Sequence, residues 1–340
     1  MSVGGHESKR ILVTGAGGFI GSHLVCYLKK LGHFVRGVDI VRPRWLASLA
    51  DEFWLLDLRN KNNAINATRH IDWVFHLAAN MGGIGFISYM HADIIRDNTA
   101  INENVIWTAY QNGIERYFFA SSACIYPTYR QEESDALPLK EEEAYPADPD
   151  GAYGWEKLHG EHLCKYLRDE SWIDVRVARF HNVYGKYTDW GDPKDLARIG
   201  REKAPAAICR KVAIAKLTGN PEVEIWGDGE QRRSFMYIDD CIEGIYRIML
   251  SDYTRPLNLG RDDSISINQL ADLVAEIADI EIEKVHIKGA QGVRGRNSDN
   301  SLCKQILDWS PPTALEIGLV SLYEWIEGLV KEALDKGVKF

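Results

Sequence analysis

The chain has 340 residues, 45% of them hydrophobic and 26% charged, with a formal net charge of -9. That is apolar material for one large core, or for two cores sharing a cleft. The acidic balance argues against nucleic acid or an anionic membrane surface as the main partner, and no apolar run approaches the roughly 20 residues of a membrane span.

Residues 1–9 are short of apolar groups and read as a disordered leader. From residue 10, short apolar runs alternate with longer segments of helical spacing. The runs are residues 10–14 (RILVT), 34–39, 53–57, 72–77, 116–121 and 174–180. Several are apolar almost throughout, as parallel strands covered on both faces are. Helical spacing fills residues 19–31, 97–113 and 153–170. The alternation predicts an α/β fold, a Rossmann-type doubly wound parallel sheet over residues 10–182. After Asn182 the rhythm breaks. Residues 185–200 read as a loop, followed by a helix over 204–217, a strand over 223–226, and helices over 239–250, 267–277 and 315–333. These predict a smaller C-terminal α/β substrate-binding domain over 183–340, with some segments returning to the sheet. The chain shows no internal repeat.

The first run ends in Thr14-Gly15-Ala16-Gly17-Gly18-Phe19-Ile20-Gly21. Gly15 permits a tight turn, Gly18 lets backbone N–H groups approach a pyrophosphate, and Gly21 lets the helix lie on the sheet. A glycine pattern alone is often only a turn; here a strand precedes it and a helix follows. Asp39, closing the second run, suits the ribose hydroxyls of an adenosine and repels a 2′-phosphate, which favours NAD. Arg36, Arg42 and Arg44 lie close enough in sequence to weaken that preference. Asp57 could meet the adenine edge or could cap a helix. Leu77, Ala78 and Ala79, after His76, end the fourth run with small side chains that leave room for a cofactor.

Tyr153 and Lys157 stand at i and i+4, so a helix turns both the same way. The ammonium would stabilise a phenolate, making Tyr153 a base toward a sugar hydroxyl. Ser122, with Ser121, ends the fifth run, where ligands bind in open α/β sheets. Cys124 follows two residues later. A cysteine is more often a buried hydrophobe, but its distance from Ser122 argues for a proton-exchanging thiol. Lys203 is a partner for it, against the ordinary fate of a solvated surface lysine. The six cysteines show neither CxxC pairs nor metal-ligand spacing, so no metal is expected; reduced thiols and a cytoplasmic protein are. Arginines in the strings QRRS and GVRGRNSDN could form a fork for a diphosphate.

GxxGxxG, Asp39, the HLAA tract, Ser122 and YxxxK, in this order, resemble the extended short-chain dehydrogenase/reductases, which work on nucleotide-diphosphate sugars with NAD. The strings SSACIYP, YGWEK, RFHNVYG, GREKAPAA, WGDGEQRRSF and GVRGRNSDN closely resemble the GDP-mannose 3,5-epimerases. That resemblance implies transient oxidation at C4 of GDP-mannose, proton exchange at C5 and C3, and reduction to GDP-L-galactose and GDP-L-gulose. It implies Tyr153 as the C4 base, assisted by Ser122 and Lys157, and Cys124 with Lys203 as the acid/base pair. It implies Gly82, Ala123, Asn182, Glu202, Ala204, Lys211, Gln231, Arg232, Arg233 and Arg296 as substrate contacts, and a homodimer. Arg232 replaces a small polar residue of the plant proteins, and the loop over residues 187–199 is longer. The alternatives are a 4-epimerase or 4,6-dehydratase on another nucleotide sugar, or a non-catalytic NAD-binding protein. The dehydratase acid pair is absent after Ser122, and a 4-epimerase has no use for Cys124 and Lys203.

Overall fold

A computed structural model describes residues 7–170, 172–195 and 200–340. Of the expected leader, residues 1–6 lie outside the described residues, and Ser8 donates to the Gly32 carbonyl at 2.9 Å. The first lobe is built on strands β1 (Arg10–Thr14), β2 (Phe34–Asp39), β3 (Glu52–Leu55), β4 (Trp73–His76), β5 (Arg116–Ser122) and β6 (Asp174–Phe180). Its helices are α1 (Phe19–Lys30), α2 (Lys61–Thr68), the single turn α3 (Ile84–Ile87), α4 (His91–Gln111) and α5 (Gly151–Asp169).

In chain order the second lobe adds β7 (Asn182–Tyr184), α6 (Ala204–Thr218), β8 (Glu222–Trp226), β9 (Arg232–Arg233), β10 (Phe235–Tyr237) and α7 (Ile238–Leu250). It continues with β11 (Leu257–Leu259), β12 (Ile265–Ser266), α8 (Ile267–Ala278), β13 (Glu283–Ile287), β14 (Gly295–Arg296), α9 (Ser301–Leu307) and α10 (Leu315–Asp335).

The main sheet has seven strands in the order β11-β6-β5-β4-β1-β2-β3, and every neighbouring pair is parallel. Alternate residues along each strand serve opposite faces. Ile11, Val13, Phe75 and Phe118 pack with Leu24, Val25 and Leu28 of α1 and Ile242, Ile245 and Met249 of α7. Leu12, Val74, Tyr117 and Phe119 pack on the other face with Ala64, Ala67, Val105, Ile106 and Leu167 from α2, α4 and α5. Both faces are therefore covered, which is why the runs are continuously apolar. The strand order reverses between β1 and β4, the crevice where such sheets take ligands.

A second core joins α6, α8 and α10 through Val212, Leu270, Val274, Leu319, Leu322 and Ile326. Two features of this region matter for the site. The chain returns to the main sheet as β11, parallel to β6. Strands β9 and β14 pair in parallel with Arg233 opposite Arg296, which brings two distant arginine strings together.

Candidate active site

The dinucleotide end is built by β1 and α1. Gly15 sits at φ +73, and its N–H donates to the Val38 carbonyl at 2.9 Å. A Cβ there would stand 2.9 Å from the Ala78 nitrogen, and one on Gly21 would stand 2.0 Å from the Gly15 oxygen. Neither backbone atom can yield, so the loop needs glycine at both positions. α1 has no side-chain cap at its N-terminus, so its first N–H groups face the crevice with a partial positive charge. Asp39 accepts from Gly17 N at 2.9 Å and Val41 N at 3.1 Å. The arginines that could have favoured a 2′-phosphate turn elsewhere. Arg36 binds Glu52 and the Ala67 and Arg69 carbonyls, Arg42 lies over Phe53, and Arg44 pairs with Asp192 and Asp195. Asp57 is bound by Arg59 rather than capping a helix; Asn60 caps α2.

The HLAA tract is fixed from behind. Leu77 N and Ala78 N both donate to Thr14 Oγ1 at 3.2 Å. His76 lies between Thr14 Oγ1 at 2.8 Å and Asn102 Oδ1 at 3.0 Å. Burial pushes its pKa down to about 3, so it is neutral. The chain continues from Asn102 Nδ2 to Glu156 Oε2 at 2.8 Å, and Asn98 Nδ2 donates to Glu156 Oε1 at 2.9 Å. Lys157 lies 3.8 Å from the same carboxylate. Glu156 thus ties the glycine loop to the catalytic helix. Its carboxyl sits above the ordinary value because it is desolvated, with Lys157 and the two asparagines opposing. Its role was not read from the sequence. The signal was the i, i+4 pair Asn98 and Asn102 facing a helix with an acid beside its lysine.

Ser122 ends β5, and Cys124 N donates to its hydroxyl at 3.1 Å, which opens a single 3-10 turn over Ala123–Ile125. α5 lies tight against this turn. Gly154 has no Cβ because one would stand 2.2 Å from the Cys124 oxygen. Behind β5, Arg179 and Glu161 form a buried two-pronged pair at 2.9 and 2.8 Å; Ser121 donates to the same Glu161. Removing one partner of such a pair costs about 3–5 kcal/mol.

Tyr153 is hydrogen-bonded to Ser122, and its phenol is pushed well above its ordinary value by burial first, then by Glu156 and Cys124. The expected lowering by Lys157 is overridden. The ammonium sits over the ring, 5.5 Å from its centre, and desolvation outweighs it. The thiol of Cys124, though only 8% exposed, borders the cavity, and Arg296 Nη1 lies 3.1 Å from its sulfur. Lys203 stands at the N-cap position of α6, without a side-chain capping hydrogen bond. Burial lowers its pKa, against Cys124 and Cys241, which raise it.

One cavity of about 860 Å³ runs from the glycine loop past Ser122, Tyr153 and Lys157 to the arginines of β9 and β14. Gly15, Gly18, Phe19, Ile20, Gly21, Asp39, Asp57, Leu77, Ala78 and Ala79 line one end. Gly82, Ala123, Cys124, Asn182, Glu202, Lys203, Ala204, Lys211, Gln231, Arg233 and Arg296 line the other. Arg232 does not line it. Its guanidinium turns away to Ser264 and Gln269, because side chains alternate along a strand and Arg233 takes the inner side. It steadies the start of α8 instead. Glu202 is committed to Gly200 N at 2.8 Å and Arg210 at 3.2 Å, fixing the turn that presents Lys203. Of the longer loop, residues 196–199 lie outside the described residues.

The far end gathers the cations Arg233, Arg296 and Lys211. Burial, with Arg296 beside it, brings Arg233 down to about 9, and its hydrogen bonds go to the carbonyls of Arg232, Gln291, Val293 and Arg294. Lys211 is also lowered by burial and donates to the Glu224 carbonyl at 2.7 Å. Gln231 Oε1 is buried without a hydrogen-bond partner. Desolvated cations beside an unsatisfied acceptor suit a polyanion that also carries donors. Among the described residues no cluster of His, Cys, Asp and Glu could hold a metal ion.

Residues 11–260 match the NAD dependent epimerase/dehydratase family. GDP-mannose 3,5-epimerase 1 of Oryza sativa subsp. indica is 45% identical over 334 residues, covering 98% of this chain and 85% of that protein. The structure resembles UDP-glucose 4-epimerase of Thermotoga maritima with UDP-glucose, at a TM-score of 0.81 and 26% identity over 94% of this chain and 99% of that one. It also resembles MoeE5 in complex with UDP-glucose and NAD, at a TM-score of 0.77 and 28% identity over the same shares.

Proposed function

The chain belongs to the NAD dependent epimerase/dehydratase family, and from that membership we infer a nucleotide-sugar epimerase that converts GDP-D-mannose to GDP-L-galactose and GDP-L-gulose. The near full-length similarity to a GDP-mannose 3,5-epimerase supports the substrate. The observation that carries the chemistry is the thiol of Cys124, at the wall of the same cavity as Ser122 and Tyr153 and within electrostatic reach of Lys203.

NAD is the cofactor. The glycine loop leaves no room for side chains at Gly15 and Gly21, and Asp39 borders the cavity. These residues, with Leu77, Ala78 and Lys157, would hold it. Its chemistry when bound is reversible oxidation at C4 of the hexose. Tyr153 exchanges a proton with the C4 oxygen, and Ser122 holds that oxygen in line.

A ketone at C4 acidifies the hydrogens on C3 and C5. The thiolate of Cys124 takes the C5 proton; the C–H electron pair moves into an enolate with the charge on O4. Lys203 gives a proton to the opposite face, leaving a thiol and a neutral amine. Burial favours that neutral amine, so the lysine is suited to releasing its proton. Before C3 reacts, the thiol releases its proton to solvent and the amine takes one up, and the restored pair then serves C3 in the same way. Arg233 and Lys211 bind the diphosphate end and Gln231 accepts from the nucleoside; Arg296, Gly82, Asn182 and Ala204 shape the sugar pocket.

The experiment is incubation of the NAD-loaded protein with GDP-mannose in heavy water. Deuterium is expected at C3 and C5, without net NADH, and Cys124→Ser is expected to lose C5 exchange while still binding NAD. An unlabelled sugar from active protein would remove the reading.

We further place the protein in the cytoplasm as a homodimer. Six free cysteines support the first. No helix among the described residues is long and apolar enough to cross a membrane. Trp107, Trp155 and Tyr166 on α4 and α5, with Trp172 just after, are exposed, and this aromatic surface supports pairing of two copies.

A further inference from the structure

Arg296 is held more tightly than a substrate-binding arginine requires. Its Nε donates to Gln131 Oε1 at 2.5 Å, its Nη2 to Asp150 Oδ2 at 2.9 Å, and its Nη1 reaches Cys124 Sγ at 3.1 Å. A planar fork fixed along two edges has its third direction determined. Gln131 is fixed in turn. It is fully buried, and its Nε2 donates to the carbonyls of Tyr126 and Pro127, both at 3.1 Å. The nitrogen side of the amide therefore points to those carbonyls and the oxygen side to Arg296. The Gln131 carbonyl accepts from Arg294 N and Gly295 N at 2.9 and 3.2 Å, which locks β14 to the same residue. Gln131 does not line the cavity.

We propose that Gln131 is a positioning residue for the acid/base step: it holds the Arg296 guanidinium against the Cys124 sulfur, and this fixed cation governs how readily the sulfur alternates between thiolate and thiol. The proposal rests on the reading of Cys124 as the C5 acid/base group. When the sulfur takes the C5 proton, its negative charge passes to O4 of the enolate. Arg296 keeps all its protons throughout. Only its attraction to the sulfur changes, and a contact made to one protonation state alone shifts the balance between them. Burial works against the charge on Arg296, but Cys124 and Asp150 outweigh it and hold the group charged. Lys203 at the start of α6, Arg233 on β9 and Tyr153 on α5 also lie within electrostatic reach of the sulfur. All three remain when Gln131 is changed, so the change isolates Arg296.

The test is Gln131→Met, which keeps the length and removes the acceptor and both donors. Alkylation of Cys124 by iodoacetamide is followed against pH in the NAD-loaded protein, by mass spectrometry of its peptide, alongside kcat and KM for GDP-mannose. The expected result is an alkylation midpoint raised by about one pH unit, which corresponds to about tenfold in the thiolate equilibrium. We expect kcat to fall by about the same factor, with KM changed less than about twofold. A residue that only packs would lower stability without moving the alkylation midpoint. Gln131→Leu removes the same acceptor and donors and serves if Gln131→Met does not fold; it is expected to move the midpoint the same way by about one unit. An unmoved midpoint in a folded variant, with Cys124→Ser still losing C5 exchange, overturns the proposal and leaves the epimerase reading standing. Persistence of C5 exchange in Cys124→Ser removes both.

Discussion

Gly154→Ala tests the geometry of the site without altering any chemical group in it. An added Cβ would stand 2.2 Å from the carbonyl oxygen of Cys124 and 2.9 Å from Pro149 Cβ. Ordinary contact begins at 3.4 Å, so α5 and the turn over Ala123–Ile125 must separate by about 1 Å. Neither is free to do so. The Cys124 carbonyl also accepts from Asp150 N at 2.9 Å, and α5 is pinned to α4 through Glu156. Overpacking of this kind costs about 1–3 kcal/mol, a fall of several degrees in Tm for a chain of this size. The functional effect is expected to be larger than the stability effect. A displacement of about 1 Å at a reacting group costs on the order of 100-fold in rate, and the displaced group is the thiol. The assay is kcat for GDP-mannose epimerisation, deuterium incorporation at C5, and NAD affinity by calorimetry. Loss of kcat and of C5 labelling is expected at NAD affinity close to the parent's, because the glycine loop is at the other end of the cavity. If kcat stays within about twofold and Tm is unchanged, the close approach of α5 does not set the position of Cys124.

Two further outcomes are expected. His76 and His181 are both pushed down to about 3 by burial, so below the unfolded value of about 6.5 the unfolded chain binds protons the folded one excludes. Stability should therefore fall as pH drops through 6.5, by up to about 1.4 kcal/mol per pH unit for each histidine; urea midpoints between pH 7.5 and 5.5, above the carboxylate range, measure it, and a flat profile would contradict it. Light scattering after gel filtration should give about twice the 38.5 kDa chain mass, and Trp155→Glu should return the single-chain mass; a monomeric parent protein would dismiss the aromatic surface of α4 and α5 as an interface.

Most of the sheet of the first lobe was legible because its inner strands are buried on both faces, so β1, β2, β4, β5 and β6 stand out as apolar runs. Shorter or half-exposed elements were not. α2 buries only Ala64, Ala67 and Thr68, too few to mark a period, and His91 and Ala92 at the start of α4 are exposed, so the helical spacing was read only from residue 97. β11 has three residues and gains its identity only from pairing with β6. At the site, residues grouped by motif were legible, since a glycine loop, a Tyr/Lys helix spacing and a Ser/Cys pair carry their chemistry in local order. Arg232 shows where that stops. Its place beside Arg233 suggested a shared role, but strand alternation sends adjacent side chains to opposite sides. Gln131 and Asp150 act through partners far away in sequence, and no local pattern marks them. The phenol of Tyr153 differs from expectation for a related reason: helix spacing gives the lysine's direction but not the loss of water around the ring.

The return of the chain as β11 limits how the protein can be taken apart. Ending a fragment at residue 182 would remove the partner of β6, leaving the amides and carbonyls around Ala178, Arg179 and Phe180 as a bare edge open to other chains. It would also strip α7 from the apolar face it shares with α1. The dinucleotide half is thus not a graftable module, and a soluble truncation would have to carry residues 238–259 with it.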